Sequence, residues 1–527
     1  MITVLLINPP LTIRQDAPRV VHPPIGLAYL ASVLRKKPST RVSMLDCVAE
    51  GPGCESSAMP GFVTYGLSLD EVQTRLARER PAVVGISFVS SDQARNAHKI
   101  CERIKQLKRD KDIDITVVAG GPHVTAFPQD VMSDLNVDYA IVGEAEQALV
   151  KLVDCIERYR PPDGIPGLCY RDRRDNLVVN REMELTTNLD EIPFPSYDLL
   201  QMQRYTFADS VYHAALKPHL PMVLYRGCQF HCAHCQVPRL SGNELRKRSP
   251  ENIIAEMRML KEAFDVKEVQ FVGDNLFGDR AWAKSWMTAI ERAQLEMRWS
   301  TLSGQSLYNI DAETATLAIQ SGLRSLMLDF PCGDTDTYEE VYQRPGDLDG
   351  IGGLVTAMRR AGVWVGGLFS FGAPGESKST MLRTLSFANS LHLDEVRFRV
   401  MTPYPGTPLW ERCVARKQFE IVPGADDLLY DGGYVNTSQL SSRDVRRFQQ
   451  MALTQQQTAR FLMQPHKMPQ RLLQFAVNMA VHPIQWTEGV FRYCGSVVGL
   501  YAPPLRKTGF TASRKKPRKR KPEDSEI

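Results

Sequence analysis

The sequence predicts an α/β protein: an N-terminal doubly wound parallel sheet, a partial (β/α)6 barrel, and a mostly helical C-terminal region. Three observations carry this expectation. Short β-branched runs alternate with amphipathic stretches, once within residues 1–160 and again within 221–405. A Pro-punctuated connection, 161–220, separates the two series. Beyond the second series the β-runs stop and helical periodicity takes over, through 406–505, before a basic tail at 506–527.

Bulk properties narrow the class. The chain has 527 residues, enough for about three domains. Its 43% hydrophobic and 24% charged content is ordinary for a globular protein. No apolar run reaches the roughly 18 residues that a membrane span needs. The apolar start, Met1 to Asn8, lacks a basic flank and a cleavage site, and it reads as a buried strand rather than a signal peptide. Eleven cysteines, only three of them clustered, argue for reduced thiols in a cytoplasm over a disulfide framework. Arg514 to Lys521 carries seven positive charges. That tail suits nucleic acid or peripheral contact with an anionic membrane, or simply a solvated, disordered terminus. No other basic recognition face is present, so nucleic acid is not an expected partner.

In the first domain the expected strands are Val4–Ile7, Val42–Leu45, Val83–Phe88, Ile115–Ala119 and Tyr139–Val142. Amphipathic stretches at Gly26–Arg35, Leu69–Glu79 and Asp92–Leu107 supply the helices between them. Ligands on such sheets sit at the carboxyl ends of the strands. The residues there are Asn8, Pro9 and Pro10; Asp46; Ser87, Ser90 and Ser91; Gly120, Gly121 and His123; and Gly143 with Glu144. Glycines let a bulky ligand approach the backbone, and serines offer donors and acceptors. Taken alone, this set fits a nucleotide or flavin domain, or an inert one.

The connection reads as a hairpin, Gly167–Arg171 with Leu177–Asn180, followed by the linker Leu189–Leu200. A generic exposed loop would serve that linker equally well.

The second series opens on Tyr225-Arg226-Gly227-Cys228-Gln229-Phe230-His231-Cys232-Ala233-His234-Cys235. Three thiolates from one loop can ligate three irons of a [4Fe–4S] cluster and leave the fourth iron open. A zinc site with His231 or His234 as fourth ligand is the competing reading. Five further strands are expected at Glu268–Val272, Met297–Leu302, Ser325–Phe330, Val363–Phe369 and Val396–Met401. The helices are Pro250–Phe264, Ala281–Gln294, Ala312–Ser321, Gly350–Arg360 and Ser377–Leu391. Strand-end loops hold the chemistry in such barrels.

The C-x3-C-x2-C triplet and the loops that follow it resemble the radical SAM enzymes. The matching loops are Phe271–Phe277, Ser303-Gly304-Gln305, Gly372-Ala373-Pro374-Gly375-Glu376 and Met401–Leu409. The first domain is similar to the cobalamin-binding domain that precedes many such cores. Its matching elements are Asn8-Pro9-Pro10, Pro23–Leu30, Gly120-Gly121-Pro122-His123 and Gly143–Glu146.

The resemblance implies three cofactors: the cluster on Cys228, Cys232 and Cys235, S-adenosylmethionine (SAM), and cobalamin as methylcobalamin. It implies SAM contacts at His234, Asp274, Asn275, Ser303, Gln305, Gly372, Pro374, Gly375, Glu376 and Pro403. The strand-end residues of the first domain would hold cobalamin without the Asp-x-His-x-x-Gly ligand motif, which is absent; His123 is a substitute ligand to weigh. The implied reaction is methyl transfer to an unactivated carbon of a small-molecule, lipid or tetrapyrrole substrate, initiated by a 5′-deoxyadenosyl radical. A flavodoxin or ferredoxin would donate the electron. A radical rearrangement or oxidative cyclisation on the same cofactors is the alternative, and a cobalamin- or SAM-binding regulator a third.

Two departures from the family pattern stand out. His234 replaces the usual aromatic residue before the third cysteine, and Pro331 falls where a Gly-x-Glu-Ser glutamate is common. In the C-terminal region Ser442–Phe461 and Gln470–Val481 read as helices, and Leu472–Leu500 is apolar enough to face a hydrophobic substrate or a membrane. A helical cover on the barrel is the plainer reading.

Overall fold

A computed structural model describes residues 1–463 apart from 16, 18, 52, 54, 60, 112, 207–214, 307, 344–347, 421–434 and 438. Residues Met1–Gln457 form one compact unit; a second begins at Thr458. The expectations for Gln470–Val481, the apolar 472–500 stretch and the basic tail lie outside the described residues.

The chain opens with β1 (Ile2–Asn8), β2 (Leu11–Arg14), the helix Ile25–Arg35, β3 (Thr40–Asp46), β4 (Glu55–Met59) and β5 (Phe62–Tyr65). The helix Leu69–Glu79, β6 (Val83–Ser87), the helix Ala94–Lys111, β7 (Thr116–Gly120) and β8 (Tyr139–Ile141) follow. The helix Glu146–Glu157, β9 (Leu168–Arg171) and β10 (Leu177–Val179) complete the series. Five strands run parallel in the order β3-β1-β6-β7-β8. Alternation in β1 serves both faces. Leu5 and Ile7 join one buried cluster beside the helix Ala94–Lys111, while Val4 and Leu6 join the other beside Ile25–Arg35. That is why the strand reads as an unbroken apolar run.

Two features depart from expectation. The hairpin β9–β10 is not part of a free connection: β9 pairs antiparallel with β8 and extends the first sheet to seven strands. A separate antiparallel sheet, β2-β5-β4, pairs 11–14 with 62–65 and has no counterpart among the expected strands. The linker is also more than an exposed loop. Ser196 N–H donates to the Ala28 carbonyl at 3.0 Å, and Tyr197 Oη donates to the Pro221 carbonyl at 2.9 Å.

The second layer begins with β11 (His219–Val223), β12 (Tyr225–Arg226) and β13 (Arg246–Lys247). Helix Pro250–Phe264, β14 (Glu268–Val272), helix Arg280–Ala293 and β15 (Arg298–Thr301) come next. Helix Ala312–Gln320, β16 (Leu323–Phe330), helix Ile351–Arg360, β17 (Trp364–Phe371), helix Lys378–Ser390 and β18 (Glu395–Val400) finish it. The sheet is parallel and open, ordered β11-β14-β15-β16-β17-β18, as a partial barrel requires.

Side-chain caps set where the loops end. Ser249, Asp279, Asp311 and Ser377 each accept a backbone N–H from the first turn of the helix they precede, worth about 1 kcal/mol apiece. The layer between the sheet and its helices is aromatic: Phe271 stacks on Trp299 at 5.3 Å and Phe330 on Phe369 at 4.9 Å, with Trp286 and Phe387 of the helices edge-on to them. Fully burying each such ring contributes roughly 1.5–3 kcal/mol. Helix Pro408–Ala415 and helix Ser442–Met463 follow the sheet. Val445 and Phe448 on the latter pack into the barrel core, with Phe448 edge-on to Phe371 at 5.0 Å. This helix covers that part of the barrel.

Candidate active site at the facing strand ends

The cysteine loop leaves β12 through Gly227, whose φ of +77° and lack of a side chain are both required. A Cβ there would stand 2.1 Å from the Glu244 carbonyl oxygen. Ala233 pins the loop at its middle: its N–H donates to Tyr342 O at 2.9 Å, and its carbonyl accepts from Leu409 N at 2.8 Å. Cys228, Cys232 and Cys235 are all partly exposed. Asn275 Nδ2 donates to Cys228 Sγ at 3.5 Å and the Val237 N–H to Cys235 Sγ at 3.4 Å. Burial pushes the Cys235 thiol up to about 12, a penalty that a bound cationic centre reverses.

Three thiols on one pinned loop, with N–H donors aimed at sulfur, fit a [4Fe–4S] cluster. Among the described residues no three His, Cys, Asp or Glu side chains are grouped to hold one metal ion. A cluster spreads its thiolates over separate irons.

The loop after β14 stands beside Cys228. Gly273, at φ +132°, lies against the Tyr225 ring; a Cβ would fall 2.6 Å from its hydroxyl oxygen. The Asn275 N–H donates to that same hydroxyl. Gln305 is wholly buried and does not face a ligand. Its Oε1 accepts from Leu276 N at 3.0 Å, and its Nε2 donates to the Gly273 and Ser303 carbonyls. Ser303 Oγ donates to Gly273 O at 2.8 Å. Asn275, 4% exposed, turns its amide to Cys228 and Gln229. Gln305 and Asn275, both expected at SAM, bond here to the loops around them, while Asp274 presents an exposed side chain.

Glu376, also expected at SAM, turns inward. It is fully buried, and its Oε2 accepts from Gly372 N and Ala373 N at 2.7 Å each, closing the Gly372–Gly375 turn from inside. Burial raises its carboxyl to about 7. Gly375 stays exposed at φ +96°, Pro374 and Pro403 are buried, and His234 sits edge-on to Tyr342 at 5.4 Å. The Pro331 departure leads to Cys332, buried with its thiol on the Asp334 carbonyl at 3.3 Å, so no ligand group opens there.

At the ends of the first sheet, Gly120 faces open space: a Cβ would meet nothing within 4 Å. Ser87 and Ser90 are partly exposed and Val89 is 45% exposed beside it. Gly121, at φ +119°, passes so close to the Phe88 carbonyl that a Cβ would be 2.7 Å away. This shelf suits a bulky planar group such as a corrin. His123 is a poor ligand for anything lying on it. The ring is buried between Phe88 and Phe127, Nδ1 bonds Ser91 Oγ at 3.0 Å, and Nε2 has no accessible area. Burial lowers its pKa to about 4, so it stays neutral.

Four other expected cobalamin residues, Asn8, Asp46, Gly143 and Glu144, are also occupied internally. Asp46 is 1% exposed; Oδ1 accepts from Asn8 Nδ2 at 2.9 Å and Val48 N at 3.0 Å, and Oδ2 from Tyr205 Oη at 2.7 Å. Gly143 lies under Met183, and Glu144 pairs with Arg246 and Arg226 from the barrel. Pro9 and Pro10 are buried.

The motif residues of the first domain therefore build a joint. Arg226, directly before Gly227, bonds Glu146 at 2.6 Å and lies over the Tyr29 ring at 5.5 Å. Burial opposes the Glu146 charge, but the Arg226 guanidinium holds its carboxyl below the usual range. The helix Pro122–Ala126 packs beside Val237–Ser241, which follows Cys235, so the shelf and the cysteine loop adjoin. Sequence reading missed the roles of Tyr225, Gln229, Arg246 and Tyr205, since single polar residues whose partners lie far along the chain carry no spacing signal.

Residues 15–153 match the B12 binding domain family and residues 222–388 the radical SAM superfamily. The chain is similar to cytidylyl-2-hydroxyethylphosphonate methyltransferase of Streptomyces wedmorensis, 27% identical over 82% of this chain and 85% of that protein. It is 30% identical to an uncharacterized methyltransferase of Pyrococcus horikoshii, over 78% of this chain and 83% of that one. Its fold is similar to that of the radical SAM methyltransferase TsrM from Kitasatospora setae, solved with cobalamin and a [4Fe–4S] cluster bound. The TM-score is 0.60 at 19% identity, covering 79% of this chain and 76% of that one.

Proposed function

Since the chain belongs to the radical SAM enzymes that carry a B12-binding domain, we propose that it methylates an unactivated carbon of an organic substrate. The observation that carries the reading is the contact between the helix Pro122–Ala126, beside the open shelf at Gly120, and the helix Val237–Ser241 behind the cysteine loop. It sets a site for a large planar donor next to a site for a radical-generating cluster.

When bound, the cluster with SAM supplies hydrogen abstraction and cobalamin the methyl group. The chain's own residues do the rest. Cys228, Cys232 and Cys235 hold the cluster. Asp274, Ser303, His234 and the Gly372–Gly375 turn line the SAM side. Ser87, Ser90, Gly120 and Gly121 line the shelf. Arg226, Glu144, Glu146 and Arg246 keep the two loops in register, and the barrel cover at Val445 and Phe448 excludes water from the Gly372 side. No side chain is assigned as a general acid or base. A flavodoxin or ferredoxin in a cytoplasm would supply the electron; no helix among the described residues is long and apolar enough to cross a membrane.

The test is anaerobic reconstitution with iron, sulfide and hydroxocobalamin, followed by reduction with SAM. Near-stoichiometric cobalt, 5′-deoxyadenosine formation that vanishes in Cys232→Ala, and methyl label from SAM in the product are the expected results. Label absent from a changed product would assign a cyclisation or rearrangement instead. Cobalt that washes away would overturn the cobalamin part.

A further inference from the structure

The orientation of one buried amide is fixed by a chain of unambiguous partners. The Gly278 carbonyl can only accept, so the Gln229 group facing it at 2.9 Å is Nε2. Gln229 Oε1 then points the other way and accepts, so the Asn275 group facing it at 3.2 Å is Nδ2. The second hydrogen of that NH2 is left for Cys228 Sγ, at 3.5 Å. Gly278 leaves room for this arrangement: a Cβ there would stand 2.3 Å from Asn275 Nδ2. Tyr225 Oη anchors the Asn275 backbone N–H, and Asn275 Oδ1 is buried without a partner. A side chain so constrained donates to sulfur because its neighbours allow nothing else.

We propose that Asn275 tunes the redox potential of the cluster by donating an N–H···S hydrogen bond to Cys228, with Gln229 as the residue that orients it. This rests on the reading that Cys228, Cys232 and Cys235 hold a [4Fe–4S] cluster. Hydrogen bonds to ligating sulfur withdraw negative charge and favour the reduced cluster, so they raise the potential. Asn275 is a positioning residue: it acts on the thiolate and not on substrate.

The experiment is potentiometric titration, followed by electron paramagnetic resonance, of the reconstituted full-length protein without SAM, so that activity plays no part. Asn275→Leu is expected to lower the ratio of reduced to oxidised cluster at a fixed potential about tenfold, which is about 59 mV for a one-electron couple. Asn275→Asp, nearly the same shape but with an anion for a donor, is expected to shift further in the same direction. Gln229→Leu, which leaves the sulfur contact in place but unoriented, is expected to shift less. Should the Asn275 variants lose their cluster, Gln229→Leu decides alone. Ratios within twofold of the parent in variants with full iron content overturn the proposal. So does weakened SAM binding at unchanged potential, which would make Asn275 a SAM contact. A parent protein that takes up no [4Fe–4S] cluster overturns the cluster reading itself.

Discussion

Arg246 on β13 grips both carboxylate oxygens of Glu144, on the loop after β8: Nη1 donates to Oε2 at 2.9 Å and Nη2 to Oε1. The side chains are only 7% and 6% exposed, and Arg246 also donates to the Thr186 and Ser241 carbonyls. A two-pronged, buried pair of this kind is sensitive to loss of one partner, because the other charge is left without compensation.

Glu144→Ala is therefore expected to cost roughly 3–5 kcal/mol. Alanine at Asp114, whose pair with Lys108 is 53% and 78% exposed on its two sides, should cost at most about 1 kcal/mol. Thermal unfolding of both variants checks this. Hydrogen exchange should rise at 143–146 and 225–228 in the Glu144 variant alone. Equal midpoints for the two variants would remove the joint from the account.

The two adjacent glycines of the first domain separate folding from binding. Gly121→Ala forces a side chain into φ +119° and against the Phe88 carbonyl, and should destabilise by about 1–3 kcal/mol. Gly120→Val meets no protein atom at its Cβ and should leave the thermal midpoint near that of the parent. If the shelf holds a corrin, the valine should nonetheless abolish retention of cobalt on gel filtration. Full cobalt in Gly120→Val would move that site elsewhere.

These positions also show what a sequence can and cannot reveal. Parallel strands and their helices were legible because burial on both faces leaves apolar runs such as Val4 to Ile7, and because the helices between them are amphipathic. The sheet β2-β5-β4 was not, since its strands are only 4 or 5 residues long and β2 pairs with a strand far along the chain. Within the motifs, spacing brought Gly273, Ser303, Gln305 and Cys228 to one place, yet it did not say which side chains face outward. Asp46, Gln305 and Glu376 stand in ligand-like positions but bond to the loops themselves. Glu144 and Glu146 stand at a strand end, and their partners Arg246 and Arg226 lie some 80–100 residues away, where no local pattern joins them.

Gln305 gives a test of loop positioning. Its amide holds Leu276 N, Gly273 O and Ser303 O together, so Gln305→Leu removes three bonds without touching an exposed surface. SAM affinity, measured by equilibrium dialysis on the reconstituted protein, should fall about tenfold, since misplacing a binding loop by one bond's worth is about 1.4 kcal/mol. Iron content should be unchanged. An unaltered Kd would mean that Tyr225 and Ser303 keep the turn in shape without it.

Glu376 predicts a pH dependence of stability. Its carboxyl is fully buried and lies near Asp334, with Gly372 N and Ala373 N as its hydrogen-bond donors. Burial favours the protonated form, raising the pKa from 4.5 to about 7 in the folded chain. The folded state thus holds a proton that the unfolded state releases. Stability from this group is complete below about pH 4.5 and is lost as the pH rises through about 7, a change on the order of 3 kcal/mol. Glutamine keeps an acceptor for both N–H groups and never ionises. Glu376→Gln should match the parent at pH 4.5 and exceed it by roughly 1–3 kcal/mol at pH 8. The difference in apoprotein unfolding midpoint between the two proteins, followed across that range, is the measurement. A difference that stays constant with pH would mean that Glu376 is ionised inside the fold and that the Gly372–Gly375 turn is closed by a charge.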